Sequence, residues 1–99
     1  NKNIKILTKS KNIVSASWIY SILVDDRESL KNHLLKHGIS SDVVHVRNDK
    51  YSVFKEYVSD DLPGCQEFCS KLLNIPVGWW ITEDEREYIV SVLNKWDNK

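Results

Sequence analysis

Methionine is absent from these 99 residues, glycine occurs three times, and proline and cysteine twice each. Each scarcity excludes something. Three scattered glycines cannot build a phosphate loop or a dinucleotide fingerprint, which need clustered glycines at a strand-to-helix turn. Two cysteines four positions apart, Cys65 and Cys69, are too few and too close for a disulfide-stapled scaffold. A structural zinc site needs about four ligands, and no second pair is present. Both are read as free thiols in a reducing, cytoplasmic compartment. Net charge is missing too: 14 Lys+Arg balance 14 Asp+Glu. That argues against a dedicated nucleic-acid or anionic-membrane binder. No apolar run approaches the roughly 18–20 residues of a membrane span, and the opening residues are not expected to be a signal peptide. The chain does not begin with Met, and the expectation is a single domain over 1–99, a piece of something longer.

Aromatics, by contrast, are abundant: four Trp and four Tyr, with Trp79 and Trp80 adjacent. Either the core is aromatic-rich or part of the surface faces a partner.

The periodicity predicts an α/β order of β-β-α-β-α-α-β-α. The strands are Ile4–Leu7, Ser17–Val24, Asp42–Arg47 and Ile75–Val77. Ser17–Val24 is rich in β-branched and aromatic residues and apolar on both faces, so it is read as central, with Trp18 and Tyr20 as core. Asp25 is expected to cap a helix that stops at His37-Gly38. Ser52–Val58 is read as a short helix. Pro63–Leu73 is read as a longer one, burying Cys65, Phe68, Cys69 and Leu72. Thr82 to Glu85 forms a capping box for a last helix to Lys95, with Tyr88, Ile89, Val92, Leu93 and Trp96 inward and a frayed end from Asp97 to Lys99. The fold expected is a two-layer sandwich, a mixed or antiparallel sheet of three to four strands with helices on one face. One layer of helices covers one sheet face only, and the other, if apolar, needs another domain or subunit.

Chemistry-bearing motifs are few. There is no nucleophile elbow. The carboxylate pairs Asp25/Asp26, Asp60/Asp61 and Glu83–Glu85 sit at helix starts and read as caps. His33 and His37, at i and i+4, lack the further ligands of a metal signature. The dense segment is His45 to Tyr51. His45 and Arg47 share a strand face, and an imidazole beside a guanidinium suits an anion or hydroxyl group. A polar strand end is the bland alternative.

Four stretches then fall in order: W-x-Y-x-x-L-V-x-x-R within Ser15–Arg27, H-G-I at His37–Ile39, V-H-x-R-N-D-K-x-S at Val44–Ser52, and L-P followed by I-P-V-G-W-W-x-T-E within Leu62–Ile89. Together they resemble the C-terminal part of the DegT/DnrJ/StrS family of PLP-dependent aminotransferases. The resemblance implies the small C-terminal domain of a fold-type I enzyme that moves an amino group from a donor such as glutamate to a keto nucleotide-sugar, in polysaccharide biosynthesis. It implies a separate PLP-binding large domain and a homodimeric parent. No lysine of this chain matches the Schiff-base motif, so no catalytic, cofactor or metal residue is nominated, and the chain alone is expected to be inactive. By the same match His45, Arg47, Asn48 and Asp49 are expected to contact substrate. Trp79 and Trp80 are expected to face the large domain or the entrance. Two other readings stay open: a stand-alone carbohydrate- or nucleic-acid-binding module, and a small subunit completing an enzyme in trans.

Overall fold

A computed structural model describes residues 1–97. Its elements are β1 (Ile4–Ile6), β2 (Tyr20–Val24), α1 (Arg27–Lys36), 3-10 turns at Asn48–Lys50 and Ser52–Tyr57, α2 (Pro63–Lys71), β3 (Leu72–Ile75) and α3 (Glu83–Lys95). The fold is a small α+β arrangement with a three-stranded antiparallel sheet in the order β1-β2-β3. β2 is central, as its residues predict, with Ile22 facing Ile6 on one side and Leu73 on the other.

One sheet face and two helices make the core. Ile22 and Val24 of β2 and Leu73 of β3 pack with Leu30 and Leu34 of α1 and with Val92 and Trp96 beside α3. Alternation sends these strand residues to one side, and the three- and four-residue spacing on the helices matches it. The opposite face carries Leu72 and Asn74, both buried, and the half-buried Ser21 and Leu23.

The caps follow local chemistry. Asp26, not Asp25, caps α1, accepting from the Ser29 amide at 3.0 Å. Asp25 pairs instead with Lys71 at 2.9 Å. Gly38, at φ +75°, lets the Ile39 amide turn back to the Leu34 carbonyl, a left-handed stop that favours glycine. The capping box at Thr82 and Glu85 is complete. α2 has no side-chain cap; Leu62 stands at its N-cap, so the Asp60/Asp61 pair does not serve there. Its C-terminal carbonyls are met from α1, where Arg27 Nη1 donates to Cys69 at 2.9 Å and to Leu72 at 3.3 Å.

Several expectations are corrected. α2 ends at Lys71, and Leu72–Ile75 is a strand. The run Leu-Leu-Asn-Ile fits period two as well as a helix, and pairing with β2 decides it. That strand ends at Ile75 because Pro76 has no N–H to donate. Asp42–Arg47 is no strand: only Asp42 bridges to Asn74, and Val44 and Val46 stay exposed. Trp18 precedes β2 and is 74% exposed rather than core. Cys65 and Phe68 are exposed, leaving Cys69 half-buried. Tyr88 is exposed, though its hydroxyl donates to the His37 carbonyl at 3.0 Å. The frayed end expected at 97–99 falls largely outside the described residues.

Candidate functional site

The polar segment His45–Asp49 is held in place by a residue that sequence reading passed over. Asn74 on β3 is buried at 6% exposure, and a buried amide needs partners. Its Nδ2 donates to Ser21 Oγ at 2.8 Å, and its Oδ1 accepts the Val44 amide at 2.9 Å. Its backbone exchanges two hydrogen bonds with Asp42, at 2.8 and 3.2 Å. One side chain thus ties β2, β3 and the extended segment together. The sequence signal was a lone Asn inside Leu72-Leu73-Asn74-Ile75.

Beyond Val44 the chain turns on an ion pair. Arg47 Nε donates to Asp49 Oδ1 at 3.0 Å, and Nη2 donates to Oδ2. The same Nη2 reaches the Ser59 carbonyl at 3.3 Å. Both side chains are largely covered, at 13% and 15% exposure. The Asp49 carboxylate raises the Arg47 pKa above its already high ordinary value. This two-pronged pairing is a strong form of the arginine–carboxylate contact, and it closes the loop from 47 to 59. Of the four nominated residues, the structure brings Arg47 and Asp49 onto each other. His45 and Asn48 are exposed. The His45 ring lies 5.6 Å from Trp18, tilted by 54°, a pairing that the spacing could not announce.

At its base, Asp42 is tied in as well. Its carboxyl is held below the usual carboxylate range, first by the Val43 amide and then by Lys31, whose Nζ lies 3.1 Å away.

Around this segment the surface is apolar. Val44, Val46, Val53, Phe54, Tyr57, Val58 and Leu62 are all exposed, and the second 3-10 turn buries nothing. The radius of gyration is 15.3 Å, against about 13 Å for a compact domain of this length. The chain as a whole is thus more extended than a compact domain of its length.

The Gly78–Trp80 turn is a second exposed feature. Trp79 is 94% and Trp80 65% exposed, and their rings meet edge to face at 5.9 Å. Gly78 allows the Trp80 indole its present position: a Cβ there would lie 2.5 Å from that exposed ring, which would have to shift. Trp79 also lines an apolar cavity of about 530 Å³ between the sheet and α3, with Ile4, Tyr20, Ile75, Ile89 and Leu93.

The histidine pair offers no metal centre. The ring centroids lie 4.6 Å apart, tilted by 44°, but His33 Nε2 bonds the Val92 carbonyl and His37 Nδ1 the His33 carbonyl. Among the described residues no three His, Cys, Asp or Glu side chains come together as metal ligands. No helix of the described residues is long and apolar enough to cross a membrane.

Comparison with known proteins places this architecture. The sugar aminotransferase CalS13 of Micromonospora echinospora is 32% identical, with TM-score 0.89 over 97% of this chain and 26% of its own. AtS13 of Actinomadura melliaura is 29% identical, with TM-score 0.88 over 95% of this chain and 25% of its own. A DegT DnrJ EryC1 StrS aminotransferase of Brucella abortus is 25% identical, with TM-score 0.86 over 99% of this chain and 27% of its own. No curated protein matches the sequence. The chain thus spans about a quarter of the length of these structures. The model of the DegT/DnrJ/EryC1/StrS aminotransferase family matches residues 1–94, and the chain belongs to that family.

Proposed function

We propose that these residues are the small C-terminal domain of a PLP-dependent sugar aminotransferase that transfers an amino group from an amino acid such as glutamate to a keto nucleotide-sugar. The observation that carries this reading is the fit of nearly all of this chain onto one quarter of a sugar aminotransferase. The parent is read as a cytoplasmic homodimer whose large domain holds PLP. The 99 residues alone do not transaminate.

The residues here do not fit PLP. The cofactor needs a lysine for its imine and an acid at its ring nitrogen. No lysine lines the apolar cavity. The smaller polar cavity has Lys2, Lys5 and Lys71 beside Asp25 and Glu67, with no aromatic ring. Lys71 is engaged by both carboxylates, at 2.9 and 3.5 Å, and they raise its pKa, Asp25 more than Glu67. The residues of this chain act by positioning. The Arg47–Asp49 clip holds the loop, His45 and Asn48 present donors and acceptors from it, and the Trp79–Trp80 turn and the apolar surface around 44–62 face the large domain.

The test has two arms. The purified chain is incubated with PLP, reduced with borohydride and weighed intact. Scattered, substoichiometric adducts are expected; a stoichiometric adduct on one lysine would refute the reading. In the two-domain parent, His45→Ala or Asn48→Ala is expected to raise KM for the keto sugar and leave the half-reaction with the amino donor unchanged. An unchanged KM would remove both residues from the substrate site.

A further inference from the structure

Cys65 and Cys69 take no part in the reading above. They occupy positions i and i+4 on α2, so both side chains emerge on one helix face, a turn apart. Cys65 is exposed and Cys69 half-buried. The Cys69 thiol is pushed up, first by burial and then by the Cys65 thiol beside it, while Arg47 acts in the opposite sense.

Spacing decides what such a pair can do. Cβ atoms at i and i+4 on a helix lie about 5–6 Å apart. A disulfide requires about 3.5–4.5 Å. Closing one would distort α2, whose C-terminal end is tied to Arg27. A metal ion about 2.3 Å from each sulfur separates them by about 3.8 Å at a tetrahedral angle and about 4.6 Å in line. With Cβ atoms about 5–6 Å apart, rotation about χ1 can bring the two sulfurs to that span without moving the helix backbone.

Ligand count then selects the ion. Structural zinc takes four ligands, and no third group joins these two among the described residues. Soft thiolates favour copper(I), which two sulfurs in line can satisfy. We propose that Cys65 and Cys69 form a two-thiolate site for a soft monovalent cation of the copper(I) class. Two metal–sulfur bonds form, both thiol protons pass to solvent, and no electron is transferred. The site stands independently of the aminotransferase reading.

The reduced 99-residue chain is titrated anaerobically with copper(I) against the chromophoric competitor bathocuproine disulfonate. A single ion per monomeric chain is expected. Cys65→Ser and Cys69→Ser are each expected to weaken binding by about 100-fold or more through loss of the chelate. The double change Cys65→Ser with Glu67→Cys keeps two thiols but sets them roughly 200° apart around the helix. It is expected to bind as weakly as the single variants, with the helical circular dichroism retained. Were it to hold copper(I) within about tenfold of the unaltered chain, helix spacing would not define the site and the proposal would fall. Copper bridging two chains, seen as a dimer on size exclusion, would overturn it as well.

Discussion

Replacing Asn74 with alanine tests how the candidate loop is held. The substitution removes the donor to Ser21 Oγ and the acceptor for the Val44 amide. Each such bond contributes roughly 0.5–1.5 kcal/mol net, and a buried donor left unpaired costs about 1–3 kcal/mol. Ser21 is half-buried and its hydroxyl can rotate toward water, while the Val44 amide is part-covered on an exposed residue, so the loss comes mainly from the two bonds themselves. The backbone bonds to Asp42 remain. The expected loss is therefore roughly 1–3 kcal/mol, or on the order of 5–20 °C in Tm for a domain of this size. Urea unfolding of the alanine variant measures the loss. A double-mutant cycle with Ser21→Ala isolates the Ser21 bond, with an expected coupling of about 0.5–1.5 kcal/mol. Amide exchange adds a local readout: Val44 and its neighbours should open before β2 does. A loss below about 0.5 kcal/mol, with exchange at Val44 unchanged, would show that Asn74 does not anchor the loop.

Further outcomes follow from the same geometry. Asp49→Asn removes the charge from the Arg47 clip; exchange at Lys50 and Tyr51 should rise while the β2–β3 ladder stays protected, and the Arg47 guanidinium should return toward its ordinary pKa by NMR titration. Trp96 is buried at 4% exposure and its Nε1 donates to Ser29 Oγ at 3.1 Å, so Trp96→Phe should cost about 1–2 kcal/mol in urea unfolding. In the unaltered chain Trp18, Trp79 and Trp80 should be quenched by acrylamide and Trp96 protected, the reverse of a uniformly buried aromatic core. Asp42 has a lowered pKa in the folded chain, so its stabilisation is present above the ordinary carboxylate value near 4 and is lost as pH falls through the lower folded value. Asp42→Asn should flatten the acid limb of the stability profile, and Lys31→Gln should flatten it less, since the Val43 amide still holds the carboxylate. Gly78→Ala should displace the Trp80 indole from its edge-to-face contact, read as a change in the near-ultraviolet dichroism with little loss of stability.

What the sequence disclosed divides along local lines. β2, α1 and α3 were legible because periodicity and the clearest caps and stops agree there: Gly38 at one end, the Thr82–Glu85 box at one start. The α+β class and the family were legible too. Misreadings concentrate where two local patterns compete or where a partner decides. Leu72-Leu73-Asn74-Ile75 suits either period, and only β2 tells the chain to make it a strand. Val44-His45-Val46 alternates like a strand, yet it finds no ladder because Asn74 offers its side chain in place of a second backbone pair. Asp25 and Asp26 are equal candidates for a cap until Lys71 takes one of them. In the site, His45 and Arg47 were legible as chemistry. Their division of labour was not, because the Asp49 and Ser59 contacts depend on how the loop folds back.

That division bears on what the loop is for. A guanidinium free for substrate would have its donors unengaged and facing solvent; here Nε and Nη2 are committed within the loop. An unmade hydrogen bond in a covered pocket is costly, so the pair is more stable closed than open. The loop's shape is thereby set before anything binds, and ordering costs otherwise met at binding are already met in folding. What remains for contact is the exposed set on that preformed scaffold: His45 against Trp18, Asn48, and the apolar side chains from Val44 to Leu62. Polar groups at the turn with apolar surface around them are the anatomy of an interface with a polar focus. On the proposed reading, a loop rigid enough to present His45, and apolar enough to seat against a second domain, would serve positioning better than proton transfer.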